Sequence, residues 1–283
     1  DPDTASEYAS LIFLIKNAEA VNGGKAPLEA LGVRAIDRKT LEITLEHPAA
    51  YLPELTRHHV LYPVPKHVVE KLGDQWIKPG NLVSNGPYVL ADWRLGDSVH
   101  TVKKPRFWDA ASVCIDEVYW YPTTDAISAE RRVARGELDW NTDISSNRIS
   151  RLREKMPGYV HTNTYLGLTY VAFNRRDNKV PAFKDIRVRQ ALTMAIDRDF
   201  IAKGLLRGGQ LPANTKVPPG VANYKPSPGP YWASWPLAKR QAKARELLAA
   251  AGYGPDNPLK FELKHRNSAD PMAFTPALQS DWK

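Results

Sequence analysis

The chain has 283 residues, enough for one large domain or two ordinary ones and for a sizeable buried core. Its 43% hydrophobic and 25% charged residues exclude a disordered, collagen-like or coiled-coil chain, and no apolar run is long enough to span a membrane. The net charge is +8, and a single cysteine, Cys114, excludes a disulfide within the chain.

The 23 prolines predict many stiff connections. The 8 Trp and 12 Tyr suit either amphipathic binding surfaces or an aromatic-rich core. The opening Asp-Pro-Asp-Thr-Ala-Ser reads as a turn and N-cap. The apolar run after it predicts a helix from about residue 8 to 20, stopped by Gly23-Gly24. Val33 to Ile36, the turn Asp37-Arg38 and the alternating run Leu41 to Leu45 predict a hairpin with one buried face. Short helices are expected after Pro48 and over 66–72, the second closed by Gly73. Ser84-Asn85-Gly86-Pro87 is a turn. Strands are expected over 88–93, 98–103 and 113–121. A helix over 126–135 ends at Gly136, and a short strand follows at 138–140. A helix over 149–154 precedes strands at 160–163 and 165–174, the latter expected to be central in a sheet. Val188, Leu192, Ala195, Ile196 and Phe200 recur at helical spacing. The Pro/Gly/Tyr-rich stretch 211–235 is a loop of a length that is either functional or clamped by packing. Pro236 opens a helix that Gly252 closes, and a strand is expected at 259–263. The order is α/β in the broad sense, with mixed sheets and flanking helices.

The usual signatures of chemistry are missing. The chain has no phosphate loop, no Gly-x-Gly-x-x-Gly, no Gly-x-Ser-x-Gly and no His-Glu-x-x-His. His58-His59 is the one close histidine pair, and on a strand the two would point to opposite faces, which speaks against a metal site. Cys114 reads as a small buried hydrophobe rather than a nucleophile. The carboxylates Glu137/Asp139 and Asp197/Asp199 read as caps and surface partners rather than a catalytic pair. The basic residues are scattered over the chain, without the continuous stripe that nucleic-acid binding uses.

Several segments in order carry a resemblance. They are Asp1-Pro-Asp-Thr-Ala-Ser-Glu-Tyr-Ala-Ser10, Leu31-Gly-Val-Arg-Ala-Ile-Asp37 with Leu41-Glu-Ile-Thr-Leu45, and Tyr62-Pro-Val-Pro-Lys66. Val83-Ser-Asn-Gly-Pro-Tyr88, Gly136-Glu-Leu-Asp139, Asp185-Ile-Arg-Val-Arg-Gln-Ala-Leu192 and Ala195-Ile-Asp-Arg198 complete the set. Together they resemble the family-5 extracytoplasmic solute-binding proteins of ABC importers, on the oligopeptide-binding branch, over essentially the whole chain. The resemblance implies a three-lobed, class II periplasmic-binding-protein-like fold, incomplete in this chain. Residues 1–82 would correspond to an accessory lobe, 83–168 to part of a first ligand-clamping lobe, and 169–283 to the hinge crossing and the start of the second. The first residue is Asp rather than Met, and we expect a piece of a longer protein.

The same resemblance implies a periplasmic or lipid-anchored receptor that takes short peptides by main-chain contacts, closes on a hinge and delivers to an inner-membrane ABC permease. It implies no catalysis, no cofactor, no metal and no nucleic acid, and a monomer. Tyr8 is matched to a ligand-facing aromatic, although a packed helical tyrosine fits it equally. Tyr170 and Asn174 are matched to the segment near the cleft or hinge. Asn85 and Gly86 are matched to the turn before the first clamping lobe, where a plain structural turn also fits. The aspartate that pairs with a peptide's amino terminus would lie beyond Lys283. Some relatives carry a cysteine near the position of Gly167; Cys114 lies elsewhere, so no such bridge is expected. The same fold with another solute (a murein peptide, an oligosaccharide, chelated nickel) remains an alternative. So does a basic nucleic-acid-binding or surface-binding protein.

Overall fold

The computed structural model describes residues 6–142, 144–176 and 178–283. The chain forms two compact units, Asp1–Pro122 and Thr123–Lys283. The turn expected at residues 1–5 lies outside the described residues.

In the first unit the predicted helix over 8–20 breaks in two. A 3-10 turn covers Ala9–Ile12, and helix α1 covers only Ala18–Asn22. The reason is competition for backbone groups. Lys16 N–H donates to Thr44 O, and Gly32 N–H donates to Lys16 O. Those groups are therefore spent on pairing with distant chain instead of on a helix. Asn17 sits in the left-handed region at φ 59°, its side chain donating to Ala30 O and its N–H to Glu46. Leu14, Ile15, Ala18 and Val21 bury the inner side of this junction.

Gly32 sits at its tightest point. A Cβ there would stand 2.7 Å from both Lys16 Cβ and Thr44 O. Gly32→Ala is therefore expected to cost roughly 1–3 kcal/mol by overpacking. A chemical-denaturation midpoint unchanged from wild type would show that the junction relaxes freely.

Strands β1 (Val33–Ala35) and β2 (Leu41–Ile43) form the expected antiparallel hairpin. Asp37 closes it, its carboxylate accepting from Lys39 N–H at 2.7 Å and Thr40 N–H at 2.9 Å. The expected buried face is not observed: Val33 and Leu41 are both exposed. Alternation decides which side chains share a face, but burial needs a covering layer. Helices α2 (Leu52–Leu55) and α3 (Lys66–Leu72) follow, the latter closed by Gly73 at φ +51°. Strands β3 (Tyr88–Arg94), β4 (Ser98–Lys103) and β5 (Glu117–Trp120) form an antiparallel sheet in that order, with an irregularity between Leu90 and Asp92. All strand ladders among the described residues are antiparallel. Cys114, expected to be buried, is exposed, because it lies in the irregular connection before β5.

In the second unit α4 (Ala126–Ala134) is capped by Asp125, which accepts from Ile127 N–H, and α5 (Ile149–Lys155) follows. Helix α6 (Ile186–Ala195) is capped by Asp185, which accepts from Arg187 N–H at 2.8 Å. A π-helical turn covers Phe200–Leu206. Helix α7 (Leu237–Ala250) starts after Pro236 and ends before Gly252 at φ +87°. Helix α8 (Ala269–Asp281) follows. Met194, Ala191, Ala195, Trp232 and Ala244 form one core cluster, and Phe183, Val188, Leu192 and Ala182 a second. Trp282 borders both clusters and donates from Nε1 to Leu192 O. The long loop 211–235 is thus clamped by packing, through Trp232.

The strands expected at 138–140, 160–163, 165–174 and 259–263 are not observed as ladders; these segments have no strand partner among the described residues. Their side chains still follow the strand period in part. Leu259, Phe261 and Leu263 are half-buried, while Lys260, Glu262 and Lys264 are exposed.

Candidate functional site

The five residues assigned to ligand binding fall in both units. In the first unit Tyr8 precedes the 3-10 turn Ala9–Ile12 and is 47% exposed, so it is neither a helical residue nor a buried one. Its ring lies 5.3 Å from that of His58 and 5.2 Å from that of His59, the latter edge-on. The two imidazoles stack on each other at 4.2 Å and 30°. This corrects the expectation that they point apart. His59 opens a 3-10 turn after His58, so the alternation of a strand does not apply. Imidazole lone pairs lie in the ring planes, so rings stacked in this way do not converge on one ion. No group of three or more His, Cys, Asp or Glu side chains suited to a metal occurs among the described residues. The outcome is a surface cluster of three rings, apolar across its faces and polar at its edges.

Asn85 and Gly86 occupy the turn before β3. Gly86 N–H donates to Ser84 Oγ at 3.0 Å, and Lys104 Nζ donates to Ser84 O at 2.6 Å. A hollow of about 220 Å³ lies beside this turn, lined by Leu82, Val83, Ser84, Tyr88, Leu90 and Lys104. Neither Asn85 nor Gly86 lines it.

In the second unit Tyr170, Ala172 and Asn174 are exposed, while Val171 and Phe173 are half-buried. Phe173 packs on Phe183 with ring centroids 5.2 Å apart, which anchors the segment to the core. Tyr170, 64% exposed, carries the Lys216 ammonium 5.3 Å from its ring centroid. Asn174 Oδ1 accepts from Arg176 N–H at 3.0 Å. Tyr170 and Asn174 are thus exposed on the same side of the alternation, with the Lys216 ammonium beside the tyrosine ring.

Three of the four carboxylates with catalytic spacing, Glu137, Asp197 and Asp199, are engaged otherwise. Glu137 pairs with Arg135 and Arg132, and its carboxyl is held below the usual range chiefly by the Arg135 hydrogen bond. Asp197 accepts from Phe200 N–H, and Asp199 pairs with Lys203. Sequence reading missed the two histidines against Tyr8 and the lysine over Tyr170. Tyr8 lies 50 positions before His58 and Tyr170 lies 46 before Lys216, and no local pattern reports such contacts.

The model of the middle portion of the bacterial extracellular solute-binding proteins, family 5, matches residues 1–283. The periplasmic oligopeptide-binding protein OppA of Escherichia coli is 36% identical over 286 residues, covering all of this chain and 52% of that protein. The structure of the E. coli murein tripeptide binding protein MppA superposes with a TM-score of 0.92 at 36% identity, covering all of this chain and 55% of that one. Haemophilus influenzae OppA in complex with the peptide RPPGFSPFR superposes with a TM-score of 0.90 at 29% identity, covering all of this chain and 55% of that one. The chain spans about half the length of the curated relatives it matches. The fold is α/β and of the periplasmic-binding-protein kind that these structures share. No helix among the described residues is long and apolar enough to cross a membrane.

Proposed function

Because this chain belongs to the family-5 bacterial extracellular solute-binding proteins, we propose that its protein captures short peptides in the periplasm and delivers them to an ABC permease. The observation that carries this reading is the full-chain likeness to H. influenzae OppA in its peptide complex. In this reading the protein is a monomeric receptor, not an enzyme, and uses no cofactor and no nucleic acid. The three-lobe division at residues 82 and 168 is part of the same proposal.

Tyr170 and Asn174 are assigned to a wall that a peptide lies along, with Tyr8 as an aromatic contact from the first unit. Asn85 and Gly86 are assigned to the turn that leads into the clamping portion. An exposed tyrosine face gives contact area at little conformational cost and accepts many side chains. Such a wall, with main-chain hydrogen bonding, favours breadth over sequence selectivity. Ligand contacts to both lobes would stabilise a closed state that the permease recognises.

A second reading is favoured by one observation: the murein tripeptide binding protein is as similar to this chain as OppA is. Native mass spectrometry of co-purified ligand separates a murein peptide from ordinary peptides. For the main reading, a thermal melt with a mixture of di- to pentapeptides is expected to shift upward. Tyr8→Ala and Tyr170→Ala are each expected to weaken peptide affinity about three- to tenfold, the scale of one aromatic contact. Wild-type affinity in both folded variants would remove these residues from the site. In the full-length protein, a cooperative melt indifferent to every peptide would overturn the function.

A further inference from the structure

Within the second unit, residues 123–168 lead into 169–283 through the stretch 160–174, extended backbone without a strand partner among the described residues. A connection of that kind can serve as a hinge. Ser146 lies before it, and Gln210 and Asp270 lie after it. Ser146 is 6% exposed and opens the 3-10 turn Ser146–Arg148. Asp270 stands in the first turn of α8. Its Oδ1 accepts Ser146 N–H at 3.1 Å, and its Oδ2 accepts Ser146 Oγ–H at 2.6 Å. Gln210 Nε2 donates to Ser146 Oγ at 2.7 Å, and Gln210 Oε1 accepts Gly208 N–H at 2.9 Å.

The groups in this contact match one another. The Ser146 hydroxyl donates once and accepts once, and both carboxylate oxygens are used. Two of the bonds are charge-assisted. Each side is also fixed to its own part of the chain. Arg148, two residues after Ser146, holds Glu130 of α4 through two hydrogen bonds. Helix α8 carries Asp270, buries Leu278 and leads into Trp282, which packs on both core clusters. Neither cluster takes a residue from 123–168 among the described residues. The Ser146 contact therefore joins two anchored elements that share no apolar core.

We propose that Ser146, Gln210 and Asp270 form a latch that holds the closed, peptide-loaded state and sets how slowly the peptide leaves. The proposal rests on the peptide-receptor reading, with its hinge near residue 168. The three are positioning residues and need touch no peptide. Their polar chemistry suits a contact that is made and broken. Apart, each group returns to water at little net cost; together, they oppose opening.

The full-length protein is used for the test. Ser146→Ala is expected to raise the peptide dissociation rate about tenfold, as loss of a charge-assisted hydrogen bond does, with the association rate unchanged. Its melting temperature without peptide is expected to match wild type, which a merely structural contact would not allow. Asp270→Ala and the double variant complete a cycle, with coupling expected in the dissociation rate and not in the unliganded melt. Because variants can fail to fold, wild-type protein is also followed by hydrogen exchange and mass spectrometry. The Ser146 amide, which donates to Asp270, is expected to exchange about tenfold more slowly with peptide than without. An unchanged dissociation rate in folded Ser146→Ala would overturn the latch. So would an unliganded melt lowered as much as the liganded one, or equal exchange at Ser146 in both states. Wild-type protein that binds no peptide would instead overturn the receptor reading, and the latch with it.

Discussion

Trp232→Ala is expected to destabilise the second unit by about 3–5 kcal/mol, the range for removing a large aromatic from a packed core. Trp232 is 4% exposed and packs in one cluster with Ala191, Met194, Ala195 and Ala244, between α6 and α7. Three of those neighbours are alanines, too short to fill the space the ring would leave. The ring also lies beside the Arg198 guanidinium, so its loss removes a cation–π contact. The loop 211–235 has its deepest anchor here, with Trp235 packed beside it against the same cluster. Urea unfolding followed by circular dichroism at the helix band measures the effect, because α6, α7 and α8 lie in this unit. A loss below 1 kcal/mol would mean that the loop is not held by this residue.

Acidification is expected to weaken the second unit through Glu130. Its carboxylate takes two hydrogen bonds from Arg148, at 2.6 and 2.7 Å, and the two side chains are only 17% and 25% exposed. That bidentate contact holds the Glu130 carboxyl below its ordinary value, with burial opposing it and the charges of Arg148, Arg151 and Arg131 assisting. The folded pKa is therefore the lower one. The pair's contribution is complete above the unfolded value, near 4.5, and is lost as pH falls through the folded value. Glu130→Gln is expected to cost about 2 kcal/mol at neutral pH, because Arg148 keeps its charge in a half-buried place. The variant should also show a flatter fall in stability between pH 5 and 3 than wild type. Parallel pH profiles for the two proteins would mean that other carboxylates carry the acid response.

The local signals in the chain were legible where a single residue type controls a backbone conformation. Gly73, Gly136 and Gly252 stop their helices at positive φ, as their places in the sequence predict. The hairpin around Asp37 was readable for the same reason. The signals failed where a distant partner wins. Residues 8–20 have the composition of a helix, yet Lys16 gives its backbone to Thr44 and Gly32.

The candidate binding residues divide in the same way. The alternation of Tyr170, Ala172 and Asn174 against Val171 and Phe173 is a property of extended chain, and the sequence displays it. The stacking of His58 and His59 against Tyr8, and the position of Lys216 over Tyr170, depend on how separate segments meet. The same holds for Ser146 and Asp270, which lie 124 positions apart and meet through two hydrogen bonds.

By itself, then, the sequence determined helix ends, turns, the faces of extended segments and, through an ordered set of motifs, the family. Tertiary structure decided which faces are covered, where Cys114 and Leu41 lie, and which extended segments carry a ladder. It also decided which polar groups meet. The physical reason is that caps, glycine turns and side-chain alternation are set by a residue and its near neighbours. Burial, strand pairing and electrostatic neighbourhood are relations between segments far apart in the chain, and their free energy exists only once those segments have met.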